Sequence, residues 1–164
     1  MPGVLDRKEI VPGALMCRVD AFLDDRGKLF EMVREDWPEL GGVHFRQVYV
    51  ISNWQPGTVR AWHLHRKLVD IFCVASGAAM FGVCPHAEQG GVWKPVAEPK
   101  TCILEASPPT LLVVQPGVAH GWKSLRDGTI LLSVASELYN REHPDEVRFA
   151  WDALGKEIWE TRPR

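Results

Sequence analysis

The chain has 164 residues, with 19 Lys and Arg against 21 Asp and Glu and a formal charge of −2. Apolar residues make up 46% and charged residues 24%, the balance of one ordinary globular domain over 1–164, which excludes a disordered chain. There is no basic surplus to neutralise phosphates, and the longest stretch free of charged residues and histidine, residues 71–85, is too short for a bilayer, so neither nucleic acid nor membrane is an expected partner.

In chain order, the first ten residues, MPGVLDRKEI, show no apolar leader. A short helix is expected over 34–40. Strands are expected over 43–52 (VHFRQVYVIS), 69–75 (VDIFCVA), 78–84 (AAMFGVC), 101–105, 110–115 and 129–136 (TILLSVAS), each rich in β-branched or aromatic residues. Turn signals separate them: Gln55-Pro56-Gly57, Ser76-Gly77, Gln89-Gly90-Gly91, Ser107-Pro108-Pro109, Pro116-Gly117 and Asp127-Gly128. A second helix is expected over 144–159. Many short strands at even spacing point to an all-β barrel or jelly roll with short helices near the C-terminus. Cys17, Cys73, Cys84 and Cys102 are scattered without CxxC spacing and are expected as reduced core residues of a cytoplasmic protein.

The chemistry is concentrated in two segments. His63 and His65 are two apart, so in a strand they aim into one pocket. Five residues separate Gly57 from His63, four separate His65 from Asp70, and six separate Asp70 from Gly77. This spacing resembles the first cupin motif, with Asp in place of the usual Glu, and Pro116-Gly117-Val-Ala-His120 resembles the second. The resemblance implies a cupin-type jelly-roll β-barrel in which His120 faces the His63/His65 pair. His44, His86 and His143 have no partners at useful spacing and are expected on the surface. Trp62 and Trp122 are expected in the core.

A closer resemblance follows from Asp25-Arg26-Gly27-Lys28-Leu29-Phe30-Glu31, Arg46-Gln47-Val48, Arg60-Ala61-Trp62-His63, Ala119-His120-Gly121, Tyr139-Asn140 and the run from Pro144 to Asp152. Taken in this order, they are similar to the dTDP-4-dehydrorhamnose 3,5-epimerase family. The resemblance implies a nucleotide-diphosphate-sugar substrate, no cofactor and a homodimer with swapped N-terminal strands. It implies that Arg26 and Arg60 hold the diphosphate and that Phe30 and Glu31 receive the nucleotide base, often across the dimer interface. It also implies that Gln47 contacts substrate, that His63 is the base and that His120 is a second pocket histidine. The base would remove a proton made acidic by a ketone at C4, and imidazole suits that role near neutral pH.

Three departures from the family mark a divergent member. Asp70 stands where these epimerases carry a Lys. Ser133, or Leu132 with a one-residue shift, stands where they carry the catalytic Tyr. Their later Asp, which orients the base histidine, has no counterpart up to Arg164. A carboxylate about 4 Å from an enolate at an effective dielectric near 20 repels it by about 4 kcal/mol, where an ammonium attracts by as much. Asp70 is therefore expected to orient His63 or His65, bind a sugar hydroxyl or join a metal site, with Tyr139 or His65 the candidate acid.

The segment from Arg60 to Leu68 also resembles the histidine-pair segment of nucleotide-sugar 3,4-ketoisomerases. The leading expectation is a nucleotide-sugar isomerase or epimerase acting on a dTDP-4-keto-6-deoxyhexose. The alternatives are such a ketoisomerase, a metal-dependent cupin with His63, His65, Asp70 and His120 as ligands, and a non-catalytic sugar-nucleotide-binding module.

Overall fold

The computed structural model describes residues 4–40 and 42–161. Fourteen strands run β1 (Val4–Val11), β2 (Ala14–Val19), β3 (Phe22–Asp24), β4 (Gly27–Leu29), β5 (Gln47–Ser52), β6 (Val59–His65), β7 (Asp70–Ser76), β8 (Ala78–Gln89), β9 (Val92–Pro95), β10 (Lys100–Glu105), β11 (Thr110–Val114), β12 (Val118–Ser124), β13 (Ile130–Ala135) and β14 (Glu146–Arg148). A first sheet has the order β1-β2-β11-β7-β13-β5 and a second the order β10-β8-β12-β6-β14, with β9 on β8; β3 and β4 form a separate hairpin. This is the all-β, cupin-type jelly-roll barrel that the sequence leads one to expect.

The core has three layers. Between the sheets lie Phe72, Val74, Phe81, Val83, Leu104, Leu112 and Trp122. The outer face of the first sheet is covered by Phe30, Met32, Trp37 and Leu40 against Ile71, Cys73, Leu111 and Val113. The outer face of the second is covered by Trp159, with Phe149 and Leu154, against Trp62 and Leu64. Strand β7 is thus covered on both sides, which explains its nearly unbroken apolar run from Ile71 to Ala75. Asp70 interrupts that run at its start, and the period of two turns it inward with Phe72 and Val74.

Neither expected helix forms. Over 34–40 there is one 3-10 turn, Pro38–Leu40, because Pro38 biases the preceding residue away from helical backbone. Over 144–159 the chain instead makes strand β14 and a 3-10 turn, Lys156–Trp159. Glu146-Val147-Arg148 alternates polar and apolar, and it fills the open edge of β6 by pairing Glu146 with His65 and Arg148 with His63. His86 is also not a surface residue. It is buried, donates from Nδ1 to the Cys84 carbonyl at 2.9 Å and packs on Phe149.

Strands β6 and β12 pair His63 with His120, and their register slips between His120 and Trp122. Gly121 sits at this slip. A Cβ there would lie 2.7 Å from Ala61 Cα and 2.8 Å from the Arg60 carbonyl oxygen, closer than side chains tolerate. Gly121→Ala is expected to lower unfolding free energy by about 1–3 kcal/mol, read from the urea midpoint. An unchanged midpoint would show that β6 and β12 do not approach this closely.

Candidate active site

One end of the barrel is left unfilled by the core and forms a cavity of about 530 Å³. The second sheet supplies Arg60, His63, His65, His120, Glu146 and Arg148 to its wall; the first supplies Gln47, Tyr49 and Asp70. The period of two accounts for this wall. On β6 the histidines face inward while Trp62 and Leu64 pack outward, and on β5 the inward set is Gln47, Tyr49 and Ile51.

Asp70 is the most enclosed charged group, 2% exposed. Its Oδ2 lies 3.3 Å from His65 Nε2 and 3.4 Å from His120 Nε2. Its Oδ1 accepts hydrogen bonds from the Ser133 hydroxyl at 3.3 Å and the Tyr49 hydroxyl at 3.4 Å. Burial disfavours its charge, but the His120 and His65 contacts outweigh burial and hold the carboxyl well below the usual carboxylate range.

The far edges of both rings are fixed. His65 Nδ1 donates to the Asp145 carbonyl at 2.6 Å and His120 Nδ1 to the Val118 carbonyl at 3.1 Å. The Asp145 carboxylate in turn accepts the Lys67 and Leu68 backbone N–H groups, both at 2.9 Å, which sets the turn between β6 and β7. His65 therefore has an acceptor at each nitrogen. Burial opposes its charged form, but the Asp70 hydrogen bond and charge prevail and raise its pKa.

His63 is set up differently. Its Nδ1 donates to Glu146 Oε1 at 2.5 Å, so the lone pair of the neutral ring sits on Nε2. Burial lowers its pKa, only partly offset by the Glu146 hydrogen bond. Glu146 stays ionised because Arg148 bonds it at 2.6 and 3.2 Å and His63 bonds it too, overcoming burial. Two imidazoles two residues apart are thus pushed in opposite directions, one toward its neutral form and one toward its charged form, which is how acid and base roles are divided within one site.

Of the residues singled out from sequence, His63, His65, Asp70, His120, Gln47, Arg60 and Tyr139 meet at this cavity. Arg60 is held by Asn53, whose Oδ1 accepts from Nε at 2.7 Å. Tyr139 stands at the rim, 62% exposed, its backbone N–H donating to Gln47 Oε1 at 2.8 Å. Arg26, Phe30 and Glu31 do not join them within one chain. Arg26 lies at the tip of the β3–β4 hairpin, paired with Asp24 at 2.5 Å. Phe30 packs outside the first sheet and Glu31 pairs with Arg34 at 2.9 Å.

Sequence reasoning missed Tyr49, Ser133's link to Asp70, Asp145, Glu146 and Arg148. Tyr49 was signalled by its spacing of two from Gln47, and Glu146 by the alternation through Phe149. A metal ion would find ligand atoms on His65, Asp70 and His120, which lie within 4.8 Å of one another. Both rings are anchored through Nδ1 as metal-binding histidines usually are, while His63 stands outside the group, turned to Glu146.

The coupling of His65 to Asp70 has a pH signature. A raised histidine pKa contributes stability below the unfolded value, about 6.5, and that contribution is lost as pH rises through the folded value. The depressed Asp70 carboxyl keeps its own contribution down to acid pH. Asp70→Asn is therefore expected to cost about 3 kcal/mol near pH 5.5 and clearly less near pH 9, by urea unfolding. An equal cost at both would show that His65 is not held charged.

No helix among the described residues is long and apolar enough to cross a membrane. Residues 8–161 match the family model described as dTDP-4-dehydrorhamnose 3,5-epimerase. The chain is 29% identical over 144 residues to the spore coat polysaccharide biosynthesis protein SpsL of Bacillus subtilis, covering 87% of this chain and 91% of that one. The fold is similar to that of a dTDP-4-dehydrorhamnose 3,5-epimerase from Bacillus anthracis solved with TDP and PPi, with a TM-score of 0.76, 23% identity and coverage of 96% and 88%. It is also similar to a double mutant of the 3,4-ketoisomerase QdtA from Thermoanaerobacterium thermosaccharolyticum in complex with TDP, with a TM-score of 0.69, 22% identity and coverage of 90% and 95%. With nearly its whole length matched and the histidine cavity in place, the chain belongs to the dTDP-4-dehydrorhamnose 3,5-epimerase family.

Proposed function

We propose that the protein epimerises a dTDP-4-keto-6-deoxyhexose by removing a proton from a carbon next to the ketone, with His63 as base. The observation that carries this is the His63–Glu146 pair, a neutral imidazole fixed by a carboxylate at 2.5 Å inside the cavity. Glu146 fixes the tautomer and steadies the imidazolium that forms, the part played by the orienting carboxylate of catalytic triads.

Asp70 does not oppose an enolate as an open carboxylate would. Both its oxygens are occupied by two imidazole edges and two hydroxyls, and its role is to orient His65 and His120. Arg60 at the cavity wall, with His65 pushed toward its charged form by Asp70, balances the enolate and the diphosphate.

In deuterium oxide, the protein is expected to incorporate deuterium next to the ketone of dTDP-4-keto-6-deoxyglucose. His63→Asn should abolish incorporation, and Glu146→Gln should lower it by about a hundredfold or more. No incorporation by the unmodified protein would refute the reading. The convergence of His65, Asp70 and His120 favours one alternative, a metal-dependent enzyme in which an ion held by these three supplies Lewis-acid polarisation of the ketone. Incorporation that is lost on chelation and restored by added metal selects that alternative.

The protein is further proposed to act in the cytoplasm and as a homodimer. The hairpin of β3 and β4 stands apart from both sheets with Phe22, Leu23 and Leu29 exposed, and edge strand β5 exposes Val48 and Val50. Glu31, paired with Arg34, is proposed together with Phe30 to receive the nucleotide base bound at the neighbouring subunit's cavity, as the family resemblance implies. Light scattering should give twice the chain mass at micromolar concentration, and thymidine diphosphate should raise the melting temperature. Arg60→Ala should remove that shift while changing the stability of the free protein by no more than about 1 kcal/mol. A monomer would refute the shared site, and a full shift in Arg60→Ala would remove Arg60 from it.

A further inference from the structure

The cavity contains a phenol that no motif marks. Tyr49 lies on β5, where its direct partner across the antiparallel ladder is Ser133 of β13. Ser133 is the position at which the family resemblance calls for a catalytic tyrosine. Directly opposed residues on one face of a sheet have Cβ atoms about 4.5–5.5 Å apart. A phenol absent from β13 is therefore available from β5 at the same height on the same wall.

Its surroundings confirm that the hydroxyl points into the site. Tyr49 donates to Asp70 Oδ1 at 3.4 Å, the oxygen that also accepts from Ser133. It lines the same cavity as His63. The two come from different sheets, Tyr49 from the first and His63 from the second, so they stand on opposed walls. A planar enolate between the sheets shows one face to each. Burial and the Asp70 charge raise the phenol's pKa, so it carries its proton at neutral pH.

We propose that Tyr49 is the catalytic acid of this site and protonates the reacting carbon on the face opposite His63; this rests on the enolate chemistry proposed above. The step balances. His63 Nε2 takes the proton from the carbon next to the ketone, the C–H electron pair passes into the enolate, and the ring becomes an imidazolium. The enolate then forms a new C–H bond at the same carbon with the Tyr49 hydroxyl proton, leaving a tyrosinate. Proton exchange with solvent returns His63 to neutral and Tyr49 to phenol. The chain has two tyrosines, and the other, Tyr139, is held at the rim through its backbone.

The test measures inverted product and deuterium exchange together, with dTDP-4-keto-6-deoxyglucose in deuterium oxide. Tyr49→Phe keeps His63, so deuterium should still enter the substrate with retained configuration, while the ratio of inverted product to exchange falls by about a hundredfold or more. Tyr139→Phe, whatever its rate, should keep that ratio within about twofold of the unmodified protein. A thymidine diphosphate melting shift in Tyr49→Phe shows that the variant is folded; if it is not, the Tyr139→Phe ratio decides. An unchanged ratio in Tyr49→Phe, or a collapsed ratio in Tyr139→Phe, overturns the assignment. No exchange by the unmodified protein refutes the enolate reading itself and takes Tyr49 with it.

Discussion

A carboxylate cannot be placed inside a barrel without partners for its charge, and Asp70 is 2% exposed at the start of a strand covered on both faces. The protein meets that requirement with four groups from four other strands: His65 on β6, His120 on β12, Ser133 on β13 and Tyr49 on β5. Both sheets are thereby tied to one side chain at the open end of the core. The far edges of the two rings are fixed by backbone carbonyls, so little freedom remains in how the cavity wall is arranged. Removing Asp70 itself leaves two buried ring nitrogens without their acceptor, which costs more than the net worth of the bonds it made.

The contrast between His63 and His65 follows from that arrangement. They share a strand face, yet one meets Glu146 on the barrel edge and the other meets Asp70 in its interior. Burial acts on both; what differs is whether the opposing charge prevails. A motif of two histidines two apart carries no information about this split. It arises from what each ring meets: Glu146 on β14, which flanks β6, and Asp70 on β7 of the opposite sheet.

What was legible in the sequence was local. The period of two placed His63 beside His65, the motif offsets brought in Asp70 and His120, and the apolar runs located β7, β8, β11 and β13. What was missed depends on pairing across the sheet. Tyr49 and Ser133 meet through the β5–β13 register, and Glu146 reaches His63 because β14 closes the edge of β6. Over residues 144–159, where a helix is expected, residues 146–148 instead supply the edge partner that β6 needs. Glu146 stands by His63, Tyr49 stands opposite Ser133, and the charge of Asp70 is met by its neighbours.

Burial and Asp70 thus push the two histidines of the motif apart, His63 toward its neutral form and His65 toward its charged form. Titration of the His63 and His65 ring resonances by NMR in the ligand-free protein tests this most directly. The account predicts two separated midpoints, with His65 above and His63 below the ordinary imidazole value of about 6.5. A shared midpoint, or the reverse order, would contradict it.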